Sequence, residues 1–392
     1  MNRTMNHSRR DFLNVAGLTA IGLALHRTAH GNNMPDDDEL TLYIGTYTSG
    51  SSPAGEGIYI YRMNEKTAEL SHFKTVTGVQ DPSFLTLDPK HRRLYAVNEV
   101  EQFEGKPSGS VSAFSVDKKT GDLNFLNRQS TSGAAPCHLI VDEKGKHVLV
   151  ANYAGGSVAV LPISEGGSLG MTSTVMQHQG SSANKDRQAG SHAHCIVLDK
   201  SNHYAFAVDL GLDKILIYKF EEKSGRLVLH NSVEVSPGDG PRHLAFHPKE
   251  KFAYVINELS NTVIAFEFDE EIGTLKQLQT VSTLPAGFAG KSWTAEIVIS
   301  PSGKFLYGSN RGHDSIVSFA INQKTGMLSL IEHVPTQGKH PRHFTIDPTG
   351  NFLLVANRDS DSIVSFRIDR DSGRLVPTGQ VTKVPRPVCL LF

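Results

Sequence analysis

Residues 341–375 read PRHFTIDPTGNFLLVANRDSDSIVSFRIDRDSGRL, and the phrase has four parts. One apolar run opens at Pro341, and a second ends at Asn357, 16 residues downstream. Ser362 to Ile368 (SIVSFRI) then alternates apolar and polar side chains, and Ser372-Gly373-Arg374-Leu375 turns into a further strand. Period-two alternation bounded by small turn residues, with no helical period between, marks short antiparallel strands.

The phrase recurs along the chain. Its alternating strand is found again at Gly57 to Met63, Ser110 to Val116, Ser157 to Ile163, Lys214 to Phe220, Thr262 to Phe268 and Ser315 to Ile321. Each copy leads to a turn and a leucine expected to start the next strand: Leu70, Leu123, Leu169, Leu227, Leu275 and Leu328. First strands are expected from Pro82, Pro136, Ala193, Pro241 and Thr294, each with an Asn or Asp at the same 16-residue spacing. Four strands per unit in seven units is the pattern of a β-propeller. Setting aside the first 38 residues leaves about 51 per unit, against roughly 40 to 50 for a blade. The fold expected is all-β, a seven-bladed β-propeller filling residues 39–392.

One unit is incomplete. The copy from Leu42 to Leu70 has no preceding first strand, whereas Pro387 to Phe392 (PVCLLF) supplies a first strand and stops. The ring is therefore expected to close by pairing the C-terminal strand with the N-terminal blade, which removes free sheet edges.

Composition narrows the function classes. With 39 Lys plus Arg against 40 Asp plus Glu, the net charge of −1 supplies no field to collect nucleic acid or anionic membrane. The three cysteines, Cys137, Cys195 and Cys389, are too few for a disulfide framework and lack zinc-site spacing. Residues 1–38 stand apart: Ser8-Arg9-Arg10-Asp11-Phe12-Leu13, a short apolar stretch to Leu25, then Ala29-His30-Gly31. This reads as a twin-arginine export signal and linker, with the export machinery as a transient partner and the periplasm as destination. The apolar stretch is shorter than the roughly 20 residues of a stable membrane span.

Blades set their first strands around a central channel, so polar residues at the starts of those strands converge at one mouth. The residue after each Pro-type position is Ser83, Cys137, His194, Arg242, Ala295, Arg342 or Val388. The residue after the Asn-type position is Tyr47, Glu99, Tyr153, Leu210, Glu258, Arg311 or Arg358. Guanidinium groups suit carboxylate or phosphate, and His with Glu can move a proton near neutral pH. His138, His243 and His343 recur in a Pro-x-His phrase and read as scaffold hydrogen-bonders, whereas His194, Arg242, Glu258 and Arg311 break the repeat and read as functional. His192 and His194 share a strand face, but no further metal ligands follow at a recognisable spacing. Asp359, Asp361, Asp369 and Asp371 read as solvated turns, and no GxSxG elbow is present.

The stretches Gly240 to Pro248 (GPRHLAFHP), Val255 to Leu259 (VINEL) and Pro301 to Tyr307 (PSGKFLY) resemble the seven-bladed propeller lactonase family. That family includes 6-phosphogluconolactonases and, more distantly, the 3-carboxy-cis,cis-muconate lactonising enzyme; the resemblance spans residues 41–392. It implies a carboxylic ester hydrolase without metal or cofactor, acting on a small anionic lactone or sugar acid. It also implies catalytic His194, Arg242, Glu258 and Arg311, with Arg342 competing for the last place. Arg342, His343 and Asn257 are expected to contact substrate. A cyclase of the muconate type and a non-enzymatic binding propeller are the alternatives. An export signal departs from a cytosolic sugar-phosphate role, so it leaves the substrate's phosphorylation open.

Overall fold

The computed structural model describes residues 38–50, 53–249 and 251–392. The export segment thus lies outside the described residues, apart from Asp38. The strands form seven four-stranded antiparallel sheets. Their innermost strands are, in ring order, Pro387–Leu391, Leu85–Leu87, Pro136–Val141, Ala193–Leu198, Pro241–Phe246, Trp293–Ile299 and Pro341–Ile346. Each touches the innermost strands on either side, and the last meets the first, so the sheets close into a seven-bladed propeller.

Burial follows from that geometry. Second strands such as Phe252–Asn257 and Phe352–Asn357 are buried at every position, because both faces of the blade pack on a neighbour. The protein consequently has a series of interblade cores: Phe206, Ile215 and Ile217 of the fourth blade interlock with Leu244, Val255 and Phe266 of the fifth. Tyrosine hydroxyls pin several junctions. Tyr43 donates to the Gly121 carbonyl at 2.7 Å, Tyr95 to Gly167 at 3.0 Å, Tyr254 to Gly326 at 2.8 Å and Tyr307 to Gly373 at 3.0 Å. Each bond runs from a second strand to the outer hairpin of the next blade, satisfying a buried hydroxyl that would otherwise carry a desolvation penalty.

The C-terminal strand completes the first blade. Tyr43, Ile44 and Gly45 pair with Leu391, Leu390 and Cys389. A Cβ on Gly45 would stand 2.2 Å from the Pro82 carbonyl oxygen, so only glycine lets the second blade approach this seam.

Two strand boundaries differ from expectation by more than one residue. In the second blade the inner strand begins at Leu85 rather than Pro82, because Asp81, at φ 39°, spends its carboxylate on the backbone of Thr48 and Ser49. In the third blade the outer strand begins at Thr174 rather than Leu169. Pro162, lacking an N–H, ends the preceding strand, and Leu169 makes only an isolated bridge to Ile163.

Candidate active site

Backbone irregularity aims the site. In the third, fourth, fifth and seventh blades the innermost strand slips register at one residue, between Pro136 and His138, Ala193 and Cys195, Pro241 and His243, and Pro341 and His343. Each skipped residue is a β-bulge, freed from the ladder and re-aimed, and such bulges favour functional rims. The residues so released are Cys137, His194, Arg242 and Arg342. The residue after each bulge enters a second layer, deeper in the channel.

Glu258 is the hub of the upper layer. Gly240, at φ 62°, precedes the fifth inner strand, and its carbonyl accepts the Glu258 N–H at 2.7 Å, bringing this carboxylate beside Arg242. Arg187 Nη2 donates to Glu258 Oε1 at 2.6 Å, Arg311 Nη2 lies 2.8 Å from Oε2, and Arg242 Nε lies 3.2 Å from Oε2. The Arg242 contact is an ion pair without hydrogen-bond alignment, since its Nε has no hydrogen-bond partner. Burial alone would raise the Glu258 pKa, but Arg311, Arg242 and Arg187 outweigh it and hold the carboxyl well below its usual range. Glu258 is therefore a fixed anion, a poor proton acceptor and a strong clamp.

His194 has the complementary property. It is buried, with Nδ1 3.6 Å from Cys137 Sγ and its ring edge-on to Tyr153 and His243 at 5.3 and 5.2 Å. Burial, then Arg242, His243 and Arg342, push its pKa well below the usual histidine range. The imidazole is therefore neutral at neutral pH, with its lone pair available, though as a weaker base than a free histidine. Burial and Glu99 push the Cys137 pKa the other way, so the neighbouring sulfur stays a thiol rather than a nucleophile.

The arginines divide by how fully they are engaged. Arg311 Nη2 also donates to the Thr294 carbonyl at 2.6 Å, and burial brings its pKa down to about 10 despite Glu258. Arg242 Nη1 donates to the Ala295 carbonyl at 2.6 Å and faces His243 Nε2 at 3.2 Å. Arg342 is the least engaged: its guanidinium sits 5.3 Å over the Tyr47 ring and 3.8 Å from Glu99 Oε2, which Tyr47 Oη holds at 2.9 Å. Both contenders thus lie in this cluster, with Arg311 locked to Glu258 and Arg342 held only by Glu99 and the Tyr47 ring.

Two expected substrate contacts have other partners. Asn257 is fully buried and its amide donates to Thr262 Oγ1 at 2.9 Å, bracing its own strand pair. His343 lies in the second layer, where Nδ1 accepts the Leu390 N–H at 3.3 Å and Nε2 faces Glu296 at 3.4 Å. Burial draws its pKa down to about 4. His192 stacks on Tyr153 at 4.6 Å, and among the described residues no group of three or more His, Cys, Asp or Glu is placed to hold a metal ion. Arg187 was not anticipated: it lies on the longest connection between blades, residues 178–192, which follows no repeat phase. The only sequence signal was the excess length of that connection.

Residues 41–392 match the family described as lactonase, 7-bladed beta-propeller. The chain belongs to this family. It is 40% identical to a 6-phosphogluconolactonase of Bacillus subtilis, with 89% of this chain and 97% of that protein covered. A crystal structure of a putative 6-phosphogluconolactonase from Bacteroides fragilis superposes with a TM-score of 0.84 at 38% identity, covering 91% of this chain and 98% of the other. The periplasmic gluconolactonase of Pseudomonas aeruginosa also gives 0.84, at 36% identity over 90% of this chain and 98% of its own. Within this lactonase-family propeller, the mouth gathers Arg187, Arg242, Arg311 and Arg342 around Glu258, Glu99 and a neutral His194.

Proposed function

We propose that the protein hydrolyses a sugar lactone, with His194 as general base and the arginine cluster as the electrostatic clamp. The observation that carries this reading is a buried, neutral imidazole placed among guanidinium groups that a single carboxylate holds in position. His194 takes a proton from water as the water oxygen bonds to the lactone carbonyl carbon. Arg242 and Arg342 stabilise the oxyanion that forms. The carbonyl carbon then releases the ring oxygen, which receives the proton from His194, leaving the open hydroxy acid. The relatives named 6-phosphogluconolactonase and gluconolactonase support this substrate class.

The test is pH-stat hydrolysis of gluconolactone and its 6-phosphate, with spontaneous opening subtracted. At least one is expected to open with saturation, and Arg342→Ala is expected to lower kcat/KM by about tenfold, the loss of roughly one charge-assisted contact to the oxyanion. Interconversion of muconates with no sugar lactone opened would overturn the reading.

We also infer that the protein is exported to the periplasm. Arg9 and Arg10 stand upstream of the family match, and a periplasmic gluconolactonase is among the similar structures. Changing both arginines to lysine is expected to retain the protein in the cytoplasmic fraction. Undiminished export of that variant would remove the twin-arginine assignment.

A further inference from the structure

The layer beneath the mouth holds a carboxylate that the hydrolytic step does not use. Glu296 is buried, at the position where other blades place Phe84, His138, Cys195, His243, His343 and Cys389. An ionised carboxylate in such a place costs several kcal/mol unless it is well partnered, whereas an apolar residue fills the same position in the second blade. Glu296 Oε1 accepts the Ile297 N–H at 3.0 Å and faces His243 Nδ1 at 3.0 Å. Its Oε2 lies 3.4 Å from His343 Nε2 without hydrogen-bond alignment.

Hydrogen-bond accounting fixes where the His243 proton sits. Arg242 Nη1 can only donate, so His243 Nε2, 3.2 Å away, must be bare. Burial, then Arg242 and Arg342, keep His243 well below the usual histidine range, so it carries one proton. That proton is on Nδ1, directed at Glu296 Oε1.

We propose that Glu296 and His243 are positioning residues acting in series on Arg242: the carboxylate keeps the imidazole proton on Nδ1, and the bare Nε2 holds Arg242 Nη1. The strand Trp293–Ile299 then grips Arg242 twice, through the Ala295 carbonyl at 2.6 Å and through Glu296 by way of His243. Arg242 Nη2 is left to meet the substrate. Without Glu296 the proton is free to move to Nε2, where it would set one N–H against another and turn the guanidinium away. The kinetic consequence rests on the hydrolytic reading above; the tautomer and the geometry do not.

The experiment has two arms on the full folded chain. Long-range proton–nitrogen NMR of the wild type is expected to show His243 protonated on Nδ1 and bare on Nε2, and Glu296→Ala is expected to lose that preference. In the kinetic arm, Glu296→Ala and His243→Phe are each expected to lower kcat by about 10- to 100-fold with KM little changed, the usual cost of losing an outer-shell partner. Glu296→Gln keeps an oxygen for Nδ1–H and should restore most of the loss. Nε2 protonated in the wild type, or Glu296→Ala with wild-type tautomer and kcat, overturns the proposal. If the wild type opens no sugar lactone, the hydrolytic reading fails while the NMR arm still decides the tautomer. If His243→Phe fails to fold, the wild-type spectrum and the Gln rescue carry the decision.

Discussion

Deleting Pro387–Phe392 is expected to abolish the cooperative thermal transition. Val388, Cys389 and Leu390 are buried, with Leu390 among Leu42, Ile44, Phe352 and Ile363, and Cys389 among Tyr43, Ile58 and Leu85. At about 1.5–3 kcal/mol for each large apolar side chain, burial of Val388 and Leu390 alone contributes roughly 3–6 kcal/mol. The deletion also strips the ladder from Glu39–Thr46, leaving an open edge and its unpaired backbone groups in the channel wall. Such losses rival the roughly 5–15 kcal/mol that separates most folded proteins from their unfolded states. A circular-dichroism melt decides the matter: a truncated chain melting within a few degrees of the full one would mean that the ring is held shut by other contacts.

The second large effect is catalytic. His194→Ala is expected to lower kcat by about 10² to 10⁴, the usual contribution of a positioned general base, while leaving the melt close to wild type. Because the base works only when neutral and its pKa is held well below the usual histidine range, kcat/KM should stay level from neutral pH downward and fall only below that range. Glu258→Gln keeps the shape but removes the anion that three guanidiniums share, so it should lower kcat/KM through loss of their alignment rather than of proton transfer. The two variants therefore separate in the pH profile: Glu258→Gln retains the acid limb that His194→Ala loses. Turnover unchanged in both would remove the assignment of this mouth as the reacting centre.

The propeller was legible because its signal is repetition: seven phrases with matched spacing outweigh the ambiguity of any single strand. The convergence of His194, Arg242, Glu258 and Arg311 was legible for the same reason, since each departs from its repeat at a phase that points to the mouth. The roles were not. Sequence lets Glu258 move a proton, whereas three arginines, one from an irregular connection, favour its ionised form. Asn257 and His343 obey the repeat, and their bonds to Thr262 and Leu390 show what that obedience meant: recurrence marked support. Register slips leave no trace in composition or periodicity, so the bulges that free Cys137, His194, Arg242 and Arg342 were invisible before the strand pairing was known.

The seam of the first blade also sets an order of events during synthesis. Its innermost strand follows every other described strand in the chain, so it leaves the ribosome after all of them. Until that strand is in place the first blade lacks its innermost member, and Leu42 and Ile44 lose the cover of Leu390. Closing the ring is thus the last step in completing the described sheets, and the circle gains its full cooperativity only when the two ends of the propeller meet.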